Sequence, residues 1–132
     1  MPYPPNIINL LPSGSTASAL PTAGDQTLGT ALPYGCDQVL ILVKTTDSEA
    51  VAHTGTFRMW GFNNYLDTWY SIGQLNAGVA LAEVSANGID YAELLVGVHG
   101  FDRLYCQIVS LGGAGHTVQV DGVCRRAELT SR

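Results

Sequence analysis

The 132-residue chain is short of charge. Charged residues make up 13% of it, against about 25% in ordinary soluble domains, and Lys44 is the only lysine. The five arginines (Arg58, Arg103, Arg125, Arg126 and Arg132) form no basic track beyond one adjacent pair. With a net charge of −5 and a pI near 4.8, nucleic-acid binding is not expected. No apolar run approaches the roughly 20 residues of a membrane-spanning helix, so no membrane partner is expected. The opening MPYPPNIINLLPSGS lacks the basic segment and apolar run of a secretory leader, so synthesis in the cytosol without export is expected.

Chemistry-bearing patterns are equally scarce. His53, His99 and His116 fall in three separate expected loops or loop edges, with no HxH or HxxxH pair to start a metal-binding jelly roll. Cys36, Cys106 and Cys124 make an odd count without a CxxC, so no zinc site is indicated. A domain of this size needs no disulfide framework, and Cys106 and Cys124 read as small buried hydrophobes. Ser110, His116 and Asp121 can be nominated as a nucleophilic set, but no GxSxG elbow accompanies them. Glu83 and Glu93 flank a turn and read as solvated residues of a polar face rather than as paired catalytic carboxylates. No catalytic residue, cofactor or metal is expected, and the chain reads as non-enzymatic.

What the chain does have is a strand pattern. Residues 56–73, TFRMWGFNNYLDTWYSIG, hold both tryptophans, two of three phenylalanines and two of six tyrosines. Phe57, Met59 and Gly61 share one face of an extended strand and Arg58, Trp60 and Phe62 the other. Asn63-Asn64 suits a hairpin connection to the second strand, which runs from Leu66 to Gly73. Asp37 to Thr45 is a nearly continuous apolar run and reads as a central strand buried on both faces. Asn87-Gly88 is a strong type I′ turn signal joining Val79–Val84 to Ile89–Val98. Phe101–Val109 and Thr117–Arg125 follow as two more strands around a glycine-rich turn. If they form a hairpin, pairings such as Leu104 with Cys124 or Ile108 with Val120 keep the inward residues together.

Residues 1–33 differ from the rest. All six prolines lie there, with one charge, Asp25. Helix and central strand are both disfavoured by that proline density. Ile7, Ile8, Leu10 and Leu11 form an apolar cluster, a candidate arm interface that lies along either the chain's own domain or a neighbour. Low charge has two corresponding readings, a Thr/Ser/Gly-rich polar surface or a surface that faces other protein.

The expectation is an all-β fold, an antiparallel β-sandwich of jelly-roll type with seven strands, or eight if the arm adds one. Its divisions are an extended N-terminal arm (1–33), a sandwich domain (34–128) and a short tail (129–132). Tyr65, Trp69 and Tyr70 are candidate exposed aromatic contacts, although a tryptophan in such a hairpin is more often core.

The run Gly100-Phe101-Asp102-Arg103-Leu104-Tyr105-Cys106-Gln107-Ile108, then Leu111-Gly112-Gly113, preceded by Trp60 and by Trp69-Tyr70-Ser71-Ile72-Gly73, resembles small structural proteins of tailed bacteriophages. The likeness covers about residues 37–126. Those proteins are β-sandwiches or jelly rolls that decorate or cement the head shell or build neck and tail parts. The resemblance implies a homo-oligomeric virion protein on the outer head surface, whose partner is the major capsid protein or another virion protein. It carries over no functional residue. The alternative is a carbohydrate-binding or host-adhesion module of a tail or fibre that uses the exposed aromatics.

Overall fold

The structure, a computed structural model, describes residues 7–47, 53–79, 89–112 and 116–126. These residues form eight strands: β1 (Ile7–Ser15), β2 (Thr30–Ala31), β3 (Gln38–Asp47), β4 (His53–Asn63), β5 (Thr68–Val79), β6 (Ile89–Gly97), β7 (Arg103–Gly112) and β8 (His116–Arg125). They make two four-stranded sheets, ordered β1-β8-β3-β6 and β2-β7-β4-β5, with every pairing antiparallel. The fold is the expected all-β sandwich. The Asn87-Gly88 turn lies outside the described residues.

Period-two alternation places the core. Val39, Ile41 and Val43 of β3, Val96 of β6 and Val118 and Val120 of β8 are buried from the first sheet, and they meet Phe57, Met59, Leu104 and Cys106 from the second. β3 is an inner strand, as expected, but only one of its faces is buried. Leu40 is half-buried and Leu42 exposed on the other side. A continuous apolar run therefore marks here a one-sided strand whose second face is apolar without being covered by other described residues.

The hairpin considered for β7 and β8 does not form. β7 pairs with β4 and β8 with β3, in opposite sheets. The parity argument was satisfied in another way, because inward residues of two consecutive strands can face each other across the core as well as side by side. Of the connections, only β4–β5 stays within one sheet. The chain otherwise crosses between sheets at each step.

The described part of the first 33 residues lies on this domain. β1 pairs along the edge of β8, burying Ile8 and Leu11 in the core. Residues 16–29 then cross to the outer face of the second sheet, where Phe62, Trp69 and Tyr105 stand together. The crossing segment, interrupted by Pro21, Gly24 and Gly29, does not pair as a strand, so its carbonyls need other donors. Side chains of the sheet supply them. Trp69 Nε1 donates to Asp25 O at 3.0 Å, Tyr105 Oη to Ala19 O at 2.6 Å, and Arg103 donates to Leu28 O and Gly29 O at 2.8 and 3.0 Å. Ser18 is fixed twice over, by its hydroxyl on Cys106 O and by its carbonyl under Ile108 N.

Cys36, just before β3, is joined to Cys124 near the end of β8 by a disulfide across 88 residues of sequence, with the Cα atoms 5.6 Å apart. This corrects the expectation that Cys124 is a free apolar filler. The neighbouring pairs Gln38 with Arg125 and Val39 with Cys124 bring the two cysteines together. Cys106 is free and buried, as expected.

Two predictions follow from the cysteines. Reduction, or Cys36→Ser, should lower unfolding free energy by about 2–4 kcal/mol through the larger unfolded ensemble it permits; matched denaturant melts with and without reductant measure this. Burial pushes the Cys106 thiol from its ordinary value of 9.0 up to about 12. The folded chain thus keeps a proton that the unfolded chain releases, so this contribution to stability is complete below pH 9.0 and is lost as pH rises toward 12. Melts of the native chain should steepen their decline above about pH 9 relative to Cys106→Ala.

Candidate functional site

One end of the sandwich gathers the exposed aromatic residues. β3 begins there at Gln38, β4 ends at Asn63, β5 begins at Thr68, β6 ends at Gly97 and β7 begins at Arg103. The connecting segments carry Tyr34, Tyr65 and Leu66 and the start of β5 carries Tyr70, all exposed, with Tyr65 91% accessible.

The β4–β5 turn is built to be rigid. Asn63 does most of this work, since its Nδ2 donates to Gly100 O at 2.7 Å while its Oδ1 accepts from Leu66 N at 2.8 Å. Its own carbonyl accepts from Asp67 N at 2.8 Å, closing the turn. Asp102 Oδ2 accepts from Asn64 N at 2.7 Å, and Asp102 N donates to Phe62 O. Asp67 closes the loop with φ of 55°, in the left-handed region that Asp tolerates better than most residues. Tyr65 and Leu66 therefore stand in water on a backbone held from both sides.

Tyr70 and Phe101 extend this surface inward, their ring centroids 6.0 Å apart. Phe101 lies against Gly61 of β4, where a Cβ would come within 2.7 Å of its ring. Glycine at that position lets the 98–102 turn seat its ring on the strand. At the same end His99 Nδ1 lies 3.0 Å from Asp37 Oδ1.

The other expected contact residues are placed elsewhere. Trp69 is 7% exposed, covered by residues 16–29, with its ring 5.0 Å from that of Phe62 and 5.8 Å from that of Tyr105. It is no exposed contact, because a segment 44 residues earlier in sequence accepts its indole proton. Of the apolar arm cluster, Ile8 and Leu11 are core residues, Leu10 packs against the core and Ile7 is exposed.

The nominated nucleophilic set does not converge. His116 is buried on the inward face of β8, while Asp121, five residues along, faces outward and is held by Asn9 Nδ2 at 2.8 Å and Gln119 Nε2 at 2.9 Å. Glu93 is exposed, and Glu83 lies outside the described residues. A groove of about 370 Å³ between residues 16–19 and 108–111 is lined by methyl and hydroxyl groups without a titratable side chain. Among the described residues no group of three or more His, Cys, Asp or Glu is placed to hold a metal ion, and no helix is long and apolar enough to cross a membrane.

Tyr65 and Tyr70 are exposed, as the sequence suggested, whereas the exposure of Tyr34 and Leu66 and the clamping role of Asn63 were not read from it. The Asn-Asn pair was the available signal, since such side chains bond their own turn.

Asn63→Ala should lower stability by about 2 kcal/mol, two hydrogen bonds at about 1 kcal/mol each, whereas Tyr65→Ala should stay within about 0.5 kcal/mol of the native chain. Denaturant melts of the two variants check this, and a large loss in Tyr65→Ala would make its ring structural.

The chain matches no protein-family model, no curated protein and no solved structure.

Proposed function

We propose that the chain is a non-enzymatic structural protein of a virion, a decoration or cement protein of the tailed-phage head type that docks on the major capsid protein through the aromatic end of the sandwich. The observation that carries this reading is the clamped β4–β5 turn, which holds Tyr65 and Leu66 in water. A rigid tyrosine loses little conformational entropy when it is covered, and tyrosine is favoured at the centres of protein interfaces.

Three further features support it. The strand orders 1-8-3-6 and 2-7-4-5 support a jelly-roll reading of the sandwich, the architecture that the phage resemblance implies. The Cys36–Cys124 bond suits a protein that works outside the reducing cytosol, as on a virion surface. The low charge suits a surface partly covered in an assembly.

Cementing is mass action. A protein that binds only the assembled shell stabilises it, by about 2.7 kcal/mol per site at a hundredfold excess over Kd. Heads carrying the protein should withstand higher temperature or chelator than heads without it, and Tyr65→Ala with Leu66→Ala should no longer bind heads while remaining folded. Equal stability of the two kinds of head overturns the cement role. The exposed rings of Tyr34, Tyr65 and Tyr70 also favour a second reading, a glycan-binding adhesion module. Saturable binding to a glycan panel, abolished by Tyr65→Ala, with no binding to heads, would establish that reading in place of the first.

A further inference from the structure

The outer faces of the two sheets are treated differently. Residues 16–29 cover the part of the second sheet's outer face around Trp69 and Tyr105, whereas the first sheet presents an apolar row in a single register. Ile7 of β1 pairs with Val123 of β8, Val123 with Leu40 of β3, and Leu40 with Leu95 of β6. All four face away from the core, because their neighbours Ile8, Cys124, Val39 and Val96 are buried. Ile7 is 42% and Leu95 48% exposed, and Leu42 is exposed two residues further along β3.

Charge is arranged asymmetrically about this row. On one side, level with Leu42, stand Asp121 and Glu93; on the other, level with Gln38, stands Arg125. A two-fold axis running along the row carries each apolar residue onto its own counterpart. The same rotation turns the acidic side of one copy over the basic side of the other, setting Asp121 opposite Arg125 twice. An axis along the strands instead places Asp121 over Leu42 and leaves Arg125 over Gln38. Only the first arrangement matches charge to charge while it buries the row.

We infer that the outer face of the first sheet is a dimer interface, in which a second copy of this chain packs face to face about a two-fold axis along Ile7, Val123, Leu40 and Leu95. An isologous contact of this kind closes on itself, and two such faces pack with strands within about 30° of alignment. Four strands about 4.8 Å apart and ten residues long at about 3.3 Å each give a face of roughly 600 Å² per copy. The total of about 1,200 Å² is at the lower bound for specific interfaces, so dissociation on dilution is expected. The aromatic end is not consumed by this contact, and each dimer carries two of them.

The test is sedimentation velocity of the full chain over a concentration series. The expected result is a species of twice the 14.0 kDa chain mass that gives way to monomer on dilution. Leu95→Arg, on an exposed position remote from β1, should weaken dimerisation more than tenfold without moving the unfolding midpoint. Arg125→Glu should weaken it as well, and adding Asp121→Lys to Arg125→Glu should restore it. A monomer at every concentration overturns the inference. An oligomer unaffected by both Leu95→Arg and Arg125→Glu also overturns it, because association would then use another surface. Asp121 also holds Asn9, so the first two variants decide the outcome if the double variant fails to fold. Head binding is measured separately, and loss of dimer with head binding intact would leave the docking role of the aromatic end standing.

Discussion

The constraint on which the rest depends is the need to cover the aromatic outer face of the second sheet. Phe62, Trp69 and Tyr105 lie on a face that water would otherwise reach, and each buried ring removes about 150–250 Å² from solvent. The first third of the chain provides the cover. Because that segment does not pair as a strand, its backbone is held by an indole, a phenol and a guanidinium rising from the sheet beneath. Rings and strap depend on each other: the rings anchor the strap, and the strap keeps the rings dry.

This mutual dependence spreads through the fold. The strap leaves β1 at Ser15 and reaches β2 at Thr30, so fixing it also fixes one edge strand of each sheet. Cys36 lies six residues beyond Thr30, and its bond to Cys124 ties the end of this excursion to β8, the strand that β1 pairs with at the other end. The path through residues 7–36 is therefore a belt around the sandwich, secured at its start by backbone pairing, in its middle by side-chain donors and at its close by a covalent bond. A belt of this kind explains how a proline-rich segment with one charge can be ordered.

Much of this was legible in the sequence, and what was missed has physical reasons. Alternation in Leu94–Val98 and Leu104–Ile108 identified strands and their inward faces, because burial on one side of a strand imposes a period of two, whereas the continuous apolar run Val39–Val43 identified a strand but not that only one of its faces is buried. The same alternation could not separate β7–β8 pairing within a sheet from apposition across the core, since both keep even positions together. The disulfide was hidden because Cys36 sits beyond a proline-rich stretch and its partner 88 residues away. Trp69 was weighed as more often core than exposed, but the segment that covers it was not legible, because it is distant in sequence. Tyr65 was legible as a candidate exposed residue, whereas the bonds of Asn63 and Asp102 that fix the backbone of its turn depend on a turn brought in from residues 98–102.

The scarcity of charge follows from the same architecture. A sandwich has two outer faces and two ends, and charge is needed only where a surface meets water in the working state. One outer face is partly under the chain's own belt, and there polar side-chain donors are aimed at backbone carbonyls. The other carries an apolar row flanked by only a few charges, Asp121 and Glu93 on one side and Arg125 on the other, with Lys44 further along. Under a second copy, those few are enough to set the register, and more would oppose burial. The ends then remain as the surfaces free to meet a different partner, and it is at an end that the chain holds Tyr65 rigid and exposed.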